Sequence, residues 1–452
     1  MKEKKRKKTH GKMKRSVWIK RSLGLCLMAT LTLGLLAGCG NRGNGGTQNN
    51  QGGGTASKDT IKIGYVNPTT GTLSGNGEGA EWVIKQIETY VNDTKGGVTV
   101  DGSQAMIDVI MYDSTSDQST ASEMAQKLVE EDEVDLLVAI QTPETVIPVA
   151  AVAERYGVPC VAIQAPVNAV AGAYEEYEST YHAFWTIEKV YEQYKALWAQ
   201  AGYGPDSKAV VGLAFANDAD GTAWHDVFVE LAAADGYQVV DPGQYPSGTT
   251  DFTNIVNTFK SANIDILAGT NIPPDFLNLF NEVIKQGVSV GCITMGKCCL
   301  LEGDVAALGD LAEGIMTEVW WAPTNPYTSN LTGVSCDDLG TAYASDNGRN
   351  MPQPAGYAYA ALEIAVNAFE KAGSTNSEAV LDALSQTDIQ TIVGPIKYDQ
   401  KMGGLTYGDT VISGGQWQKN ADGNLELVII DNTVYPEVPT TGSYAPGNAT
   451  NQ

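Results

Sequence analysis

Few side chains in this sequence are placed for covalent chemistry. Beyond residue 38 the only histidines are His182 and His225, and neither G-x-S-x-G nor H-E-x-x-H occurs, so no nucleophile–base or zinc-protease pattern is spelled out. The body holds five cysteines, Cys160, Cys292, Cys298, Cys299 and Cys336. They form no C-x-x-C, and an odd number fits no small-domain disulfide framework. The vicinal Cys298-Cys299 pair reads as buried apolar thiols rather than a metal or redox centre. Gly75 to Ala80 satisfies G-x-G-x-x-A, yet eight residues separate it from Val66, whereas a dinucleotide fold turns directly off its strand. The expectation is a non-enzyme with no cofactor and no metal.

What remains is non-covalent recognition at loops that end strands. Gln141-Thr142-Pro143-Glu144-Thr145 closes an apolar run and opens a helix. Free backbone N–H groups there attract a carboxylate, and the Thr hydroxyls add donors; helix capping by Thr142 or Thr145 is the alternative. Glu144 would oppose a second anion unless it points away or pairs. Asn217-Asp218-Ala219-Asp220-Gly221 sits similarly after a later strand. There Asp220 can receive an ammonium group or cap the next helix.

These loops need a scaffold, and the apolar pattern supplies one. Ile61–Val66, Met106–Tyr112, Val134–Ile140 and Val158–Ile163 read as strands, with helical faces between them such as Ala80, Val83, Ile84, Ile87 and Val91. The rhythm restarts after a Tyr-rich bridge, Ala173 to Tyr181, with strands at Ala209–Phe215, Tyr237–Val240 and Ile264–Ala268. This is an α/β chain of two units, each a parallel sheet flanked by helices. Gly403 to Ile430 is Gly-rich and alternating, and reads as antiparallel edge strands. Residues 433–452 read as a disordered tail.

Composition narrows the setting. Residues 1–38 carry eleven Lys and Arg against Glu3; the remaining 18 basic and 52 acidic residues give the rest a net charge of −34. Such a body is repelled by nucleic acid and anionic headgroups. Ser22 to Ala37 is uncharged and, as a helix, about 24 Å long, the length of a signal-peptide core. Leu36-Ala37-Gly38-Cys39 resembles the lipobox of bacterial lipoproteins, which implies cleavage before Cys39, lipidation of its thiol and a membrane-anchored extracytoplasmic protein. An uncleaved anchor helix is the alternative. Residues 39–58 are a Gly/Asn/Gln-rich tether.

A resemblance then emerges from ordered landmarks. The segments IKIGYVNPTTGTLSGNGEGAEW, VDLLVAIQTPETVIPVAAVAERYGVPCVAIQAP, ANIDILAG, LAEGIMTEVWW and TIVGPIKYDQ resemble those of the type I periplasmic-binding family, in its leucine/isoleucine/valine-binding group. The resemblance implies two lobes joined by three crossovers, lobe one at 59–181 and 323–405, lobe two at 183–319 and 406–431. It implies a substrate-binding protein of an ABC importer, partnered by a permease and its ATPase, that traps an amino-acid-like or organic-acid ligand by hinge closure. A ligand-binding component of a sensor shares the fold and is the alternative. The implied site comprises Thr142, Pro143, Glu144 and Thr145 with Gln164, Pro166 and Asn168 around the ligand carboxylate. Asp220 would meet its ammonium, and Asn76 and Asn271 stand where relatives place aromatic contacts. Lys297 departs from the family pattern, since amino-acid binders carry an acidic residue near that position. Trp320-Trp321 falls at the second crossover, facing the cleft or packing the hinge.

Overall fold

The structure, a computed structural model, describes residues 59–447. The leader, Cys39, the tether and residues 448–452 lie outside the described residues, and none of the helices described is long and apolar enough to cross a membrane.

The first half of the chain runs β1 (Thr60–Asn67), α1 (Ala80–Thr89), β2 (Val98–Val100), β3 (Ser103–Asp113), α2 (Gln118–Glu130), β4 (Leu136–Ile140), α3 (Pro143–Tyr156), β5 (Cys160–Ile163), α4 (Val167–Ala171) and β6 (Thr180–Ala183). The apolar runs at β1, β4 and β5 are continuous because helices cover both faces of these strands. Their register is parallel, with Ile63 beside Leu136 and Leu137 beside Cys160. Local signals set the helix ends. Asp117 caps α2 by accepting from the Thr120 N–H at 2.8 Å, and α3 stops at Gly157, whose φ of 67° suits glycine.

The second half follows the same logic with α5 (Ile187–Gln200), β7 (Val210–Phe215), α6 (Ala219–Ala234), β8 (Gln238–Val240), α7 (Thr253–Ala262), β9 (Ile266–Asn271), α8 (Pro273–Lys285), β10 (Cys292–Lys297), α9 (Glu302–Ala306) and β11 (Met316–Val319). Then α10 (Cys336–Asn347), α11 (Gln353–Ala372), α12 (Ser377–Ser385), the hairpin β12 (Asp388–Thr391) and β13 (Gly394–Lys397), β14 (Gln400–Met402) and β15 (Leu405–Gly408) lead to β16 (Ser413–Lys419) and β17 (Leu425–Asp431). One sheet has the order β14-β15-β6-β5-β4-β1-β3-β2, the other β17-β16-β11-β10-β9-β7-β8. The chain therefore passes between the sheets after β6, after β11 and after β15. This is the two-sheet, mostly parallel α/β arrangement expected from the sequence, and the five cysteines of the body are all buried and unpaired.

Two expectations need correction. Residues 405–408 pair with the first sheet, Thr406 beside Tyr181 in parallel register, so the third passage follows Gly408 rather than Leu405. A four-residue strand flanked by glycines carries too little pattern to reveal its partner. The tail reading also fails over 433–447. Val438 is buried, the Thr441 N–H donates to the Ile429 carbonyl at 2.8 Å, and the Gln416 side chain holds both the N–H and the C=O of Ala445. An extended Pro/Gly segment can be fixed by backbone hydrogen bonds that composition does not announce.

Candidate functional site

The carboxyl ends of β4, β5 and β10 share an unusual feature. Gln141, Gln164 and Lys297, at or just past these ends, have φ of 89°, 63° and 63°, a left-handed conformation that costs non-glycine residues energy. Gln164 and Lys297 line one cavity, and Gln141 backs it, its Oε1 accepting from Gln164 Nε2 at 2.6 Å.

The first lobe contributes Asn76, Thr142, Pro143, Gln164 and Pro166; the second contributes Asp220, Trp224, Thr270, Lys297 and Leu300. Phe184 and Trp185 directly follow β6, and Glu318 and Trp320 end or follow β11, so the passages between the sheets form the cavity floor. The Phe184 and Trp185 rings lie 4.2 Å apart between centroids, and Trp185 meets Trp224 edge-on at 6.0 Å. Phe184 and Trp320 pack edge-to-face at 5.3 Å. Among the described residues the indole N–H groups of Trp185, Trp224 and Trp320 have no protein acceptor, and Asp220 Oδ1, Gln164 Oε1 and Thr270 Oγ1 are also unpartnered. Buried polar groups are normally paired, so this concentration marks a surface built for something other than protein.

Charge is concentrated on one residue. Lys297 Nζ lies 2.9 Å from Glu144 Oε1 and 3.1 Å from Asp220 Oδ2. Glu144 belongs to α3 of the first lobe, so the ion pair spans the cleft. Burial pushes the Glu144 carboxyl up, but the Lys297 ammonium outweighs it and the net shift is downward. Asp220 receives the weaker share: burial lifts it to about 7 despite Lys297. The Lys297 ammonium is disfavoured by burial and rescued by Glu144 and then Asp220, with a net upward shift. Glu318 is raised by burial and steadied by the Tyr194 hydroxyl.

The structure thus brings together Asn76, Thr142, Pro143, Gln164, Pro166, Asp220 and Lys297, with half-buried Glu144 and buried Thr145 close behind them. Asp220 is free to face the cavity because Asp218 takes the cap of α6, accepting from the Gly221 N–H at 2.8 Å. Two expected contacts lie elsewhere. Asn168 accepts from the Ile187 N–H at 2.8 Å and donates to Glu188, which fixes the start of α5. Asn271 is held by the Tyr245 hydroxyl, the Ala214 carbonyl and Met295 Sδ. Of the adjacent tryptophans, Trp320 lines the cavity while Trp321 donates to the Ile392 carbonyl and packs over Gly356, where a Cβ would come within 2.6 Å of the ring. Sequence reasoning missed Phe184, Trp185, Trp224, Thr270, Leu300 and Glu318. The Phe-Trp pair immediately after a strand end was the available signal.

The glycines of the Gly75–Ala80 loop also find their reason here. A Cβ on Gly77 would sit 2.4 Å from the Pro68 carbonyl oxygen, and Asn67 Nδ2 donates to the Gly77 carbonyl at 3.1 Å. A Cβ on Gly75 would sit 2.8 Å from Leu301 Cδ1, and Gly79 has a φ of 87°, so close packing and a left-handed turn account for the three glycines.

Comparison with known proteins agrees with this architecture. The periplasmic binding protein family model matches residues 60–411. The leucine-, isoleucine-, valine-, threonine- and alanine-binding protein of Pseudomonas aeruginosa is 22% identical over 374 residues, covering 80% of this chain and 91% of that one. A leucine binding protein of Thermotoga maritima superposes with a TM-score of 0.68 at 18% identity, covering 83% of this chain and 99% of the other. A solute binding protein of an ABC transporter from R. palustris, solved with 4-hydroxybenzoate, gives a TM-score of 0.66 at 19% identity over 82% of this chain and 96% of that one. With the family model spanning most of its length, and a cleft at the strand ends between two α/β lobes, this chain belongs to the periplasmic binding protein family.

Proposed function

We propose that this chain is an extracytoplasmic substrate-binding lipoprotein of an ABC importer. It traps a small-molecule ligand between its lobes by hinge closure and delivers it to a permease coupled to an ATPase. One observation carries the reading: both lobes wall one cavity, several of whose polar atoms lack protein partners, and an ion pair, Lys297 with Glu144, bridges the two walls. A ligand there touches both lobes, so its binding energy favours the closed arrangement. The Leu36-Ala37-Gly38-Cys39 sequence supports anchoring through a lipid on Cys39.

The trap is tested by a thermal-shift screen of leucine, isoleucine and 4-hydroxybenzoate, followed by small-angle scattering with whichever compound stabilises. A ligand at 100 times its Kd adds about 2.7 kcal/mol of stability, and the radius of gyration should fall on saturation. No compaction at saturation would refute hinge closure. Cys39→Ala should release the protein from membranes or leave it unprocessed; a mature-sized variant that stays membrane-bound without lipid would refute the anchor.

A further inference from the structure

The helix start that the sequence offered to a ligand carboxylate is already occupied by one of the protein's own. Glu144 stands in the first turn of α3, where the dipole and Lys297 stabilise it, and Pro143 before it has no N–H to donate. Around the cavity three carboxyl groups, Glu144, Asp220 and Glu318, face a single ammonium, Lys297. That ammonium is held by two of the three, and Asp220, 4% exposed and lining the cavity, keeps its Oδ1 unpartnered. Beside it stand the rings of Trp185, Trp224 and Trp320 with their unpartnered N–H groups. An incoming anion would meet like charge. A cation would meet the unpartnered Asp220 oxygen, whose carboxyl its charge favours in the ionised form, and aromatic rings, whose negative quadrupoles attract it.

Resting on the reading of this cavity as the ligand site, the geometry points to a small organic cation as the ligand, an ammonium compound that also carries an uncharged oxygen. The ammonium lies among the indole rings against Asp220 Oδ1. The oxygen accepts from an indole N–H, and no net negative charge is brought into the cleft.

The test uses the purified full chain with choline, tetramethylammonium, benzoate and leucine as probes, read by calorimetry and by tryptophan fluorescence, since three indoles line the cavity. Choline should bind saturably, more tightly than tetramethylammonium, which lacks the oxygen, and at least tenfold more tightly than benzoate. Asp220→Asn, nearly isosteric, should weaken choline at least tenfold while the unfolding midpoint shows the variant folded. Glu144→Gln should weaken it less, because Lys297 then draws more fully on Asp220. Benzoate or leucine binding without choline binding would overturn the cation assignment and leave the binding-protein reading standing. Equal choline affinity in wild type and folded Asp220→Asn would overturn the placement of the ammonium. Silence from all four probes would count against both readings.

Discussion

The two lobes share an architecture but build different walls. The first lobe lines the cavity with uncharged groups, Asn76, Thr142, Pro143, Gln164 and Pro166, and sends one charge forward from behind them, Glu144. The second lobe supplies Asp220, Lys297 and the Trp224 ring from its own strand and helix ends. Charge therefore resides mainly on the second lobe, the aromatic rings lie mainly on the passages between the sheets, and the first lobe completes them. Glu144 is what makes the pair of walls interdependent: without it Lys297 would answer to Asp220 alone. The lesson is that the polar identity of such a cleft can be set by one lobe, with the other acting as the complement that is felt when the walls meet.

The sharpest way to break this division is to remove its centre. Lys297→Met leaves Glu144 and Asp220 buried with no compensating cation, which in comparable settings costs about 3–5 kcal/mol. The urea midpoint should fall accordingly. Adding Glu144→Gln and Asp220→Asn to the same variant should restore most of the loss, because neutral side chains do not require the ammonium. If the single variant is as stable as wild type, the charges are not mutually dependent and the two walls are independent.

A second test compares one buried carboxyl in each lobe. Glu363, on α11 of the first lobe, accepts from the Ile392 N–H, and burial lifts its pKa to about 8. Asp220 in the second is lifted by burial to about 7, with Glu144 and Asp218 adding to the rise and Lys297 opposing it. In both cases the folded state holds its proton more tightly than the unfolded chain, so stability falls as pH rises through the folded pKa. His182, lowered by burial to about 4, works oppositely, but its contribution is complete by about pH 6.5. Above that point the carboxyls dominate, and His225, held up by Asp226 and Asp241 against burial, has the same sign as they do. Tm should therefore drop by a few degrees between about pH 6.5 and 8.5. Glu363→Gln should flatten the upper part of that slope and Asp220→Asn the lower. A flat Tm profile in wild type would show that neither carboxyl retains its proton in the fold.

How much of this was legible in the sequence divides along the same line. The parallel sheets were visible because strands covered on both faces must be continuously apolar, as Leu136 to Ile140 is. Loops that end such strands were visible by position, which is why Thr142, Gln164 and Asp220 were found. The cavity floor was not, because Phe184, Trp185 and Glu318 belong to passages between sheets, and their direction depends on how two distant segments cross. Nor could sequence pair Lys297 with Glu144, 153 positions apart and in different lobes. Lys297 looked like a departure from the family pattern; in the structure it is the counter-ion that permits Glu144 and Asp220 to be buried together.

The smallest expected effect concerns Asn168, and it separates position in the chain from position at the ligand. The residue follows β5 and sits two positions after Pro166, which does line the cavity. Its side chain nevertheless turns toward the next segment, where Oδ1 accepts from the Ile187 N–H at 2.8 Å and Nδ2 donates to Glu188 at 3.0 Å. Ile187 is the first residue of α5, so its N–H is one of the donors a helix cannot satisfy internally, and Thr186 provides no side-chain cap. Asn168 thus reaches from the first lobe to fasten the helix that begins the second. Asn168→Ala should cost about 1 kcal/mol, the worth of a lost cap. Affinity for any cavity ligand should change less than threefold, since no cavity-facing atom is removed. Calorimetry and urea unfolding on the same preparation separate the two effects. A variant of unchanged stability that loses ligand binding would place Asn168 at the ligand after all, and would move the polar balance of the cleft back toward the first lobe.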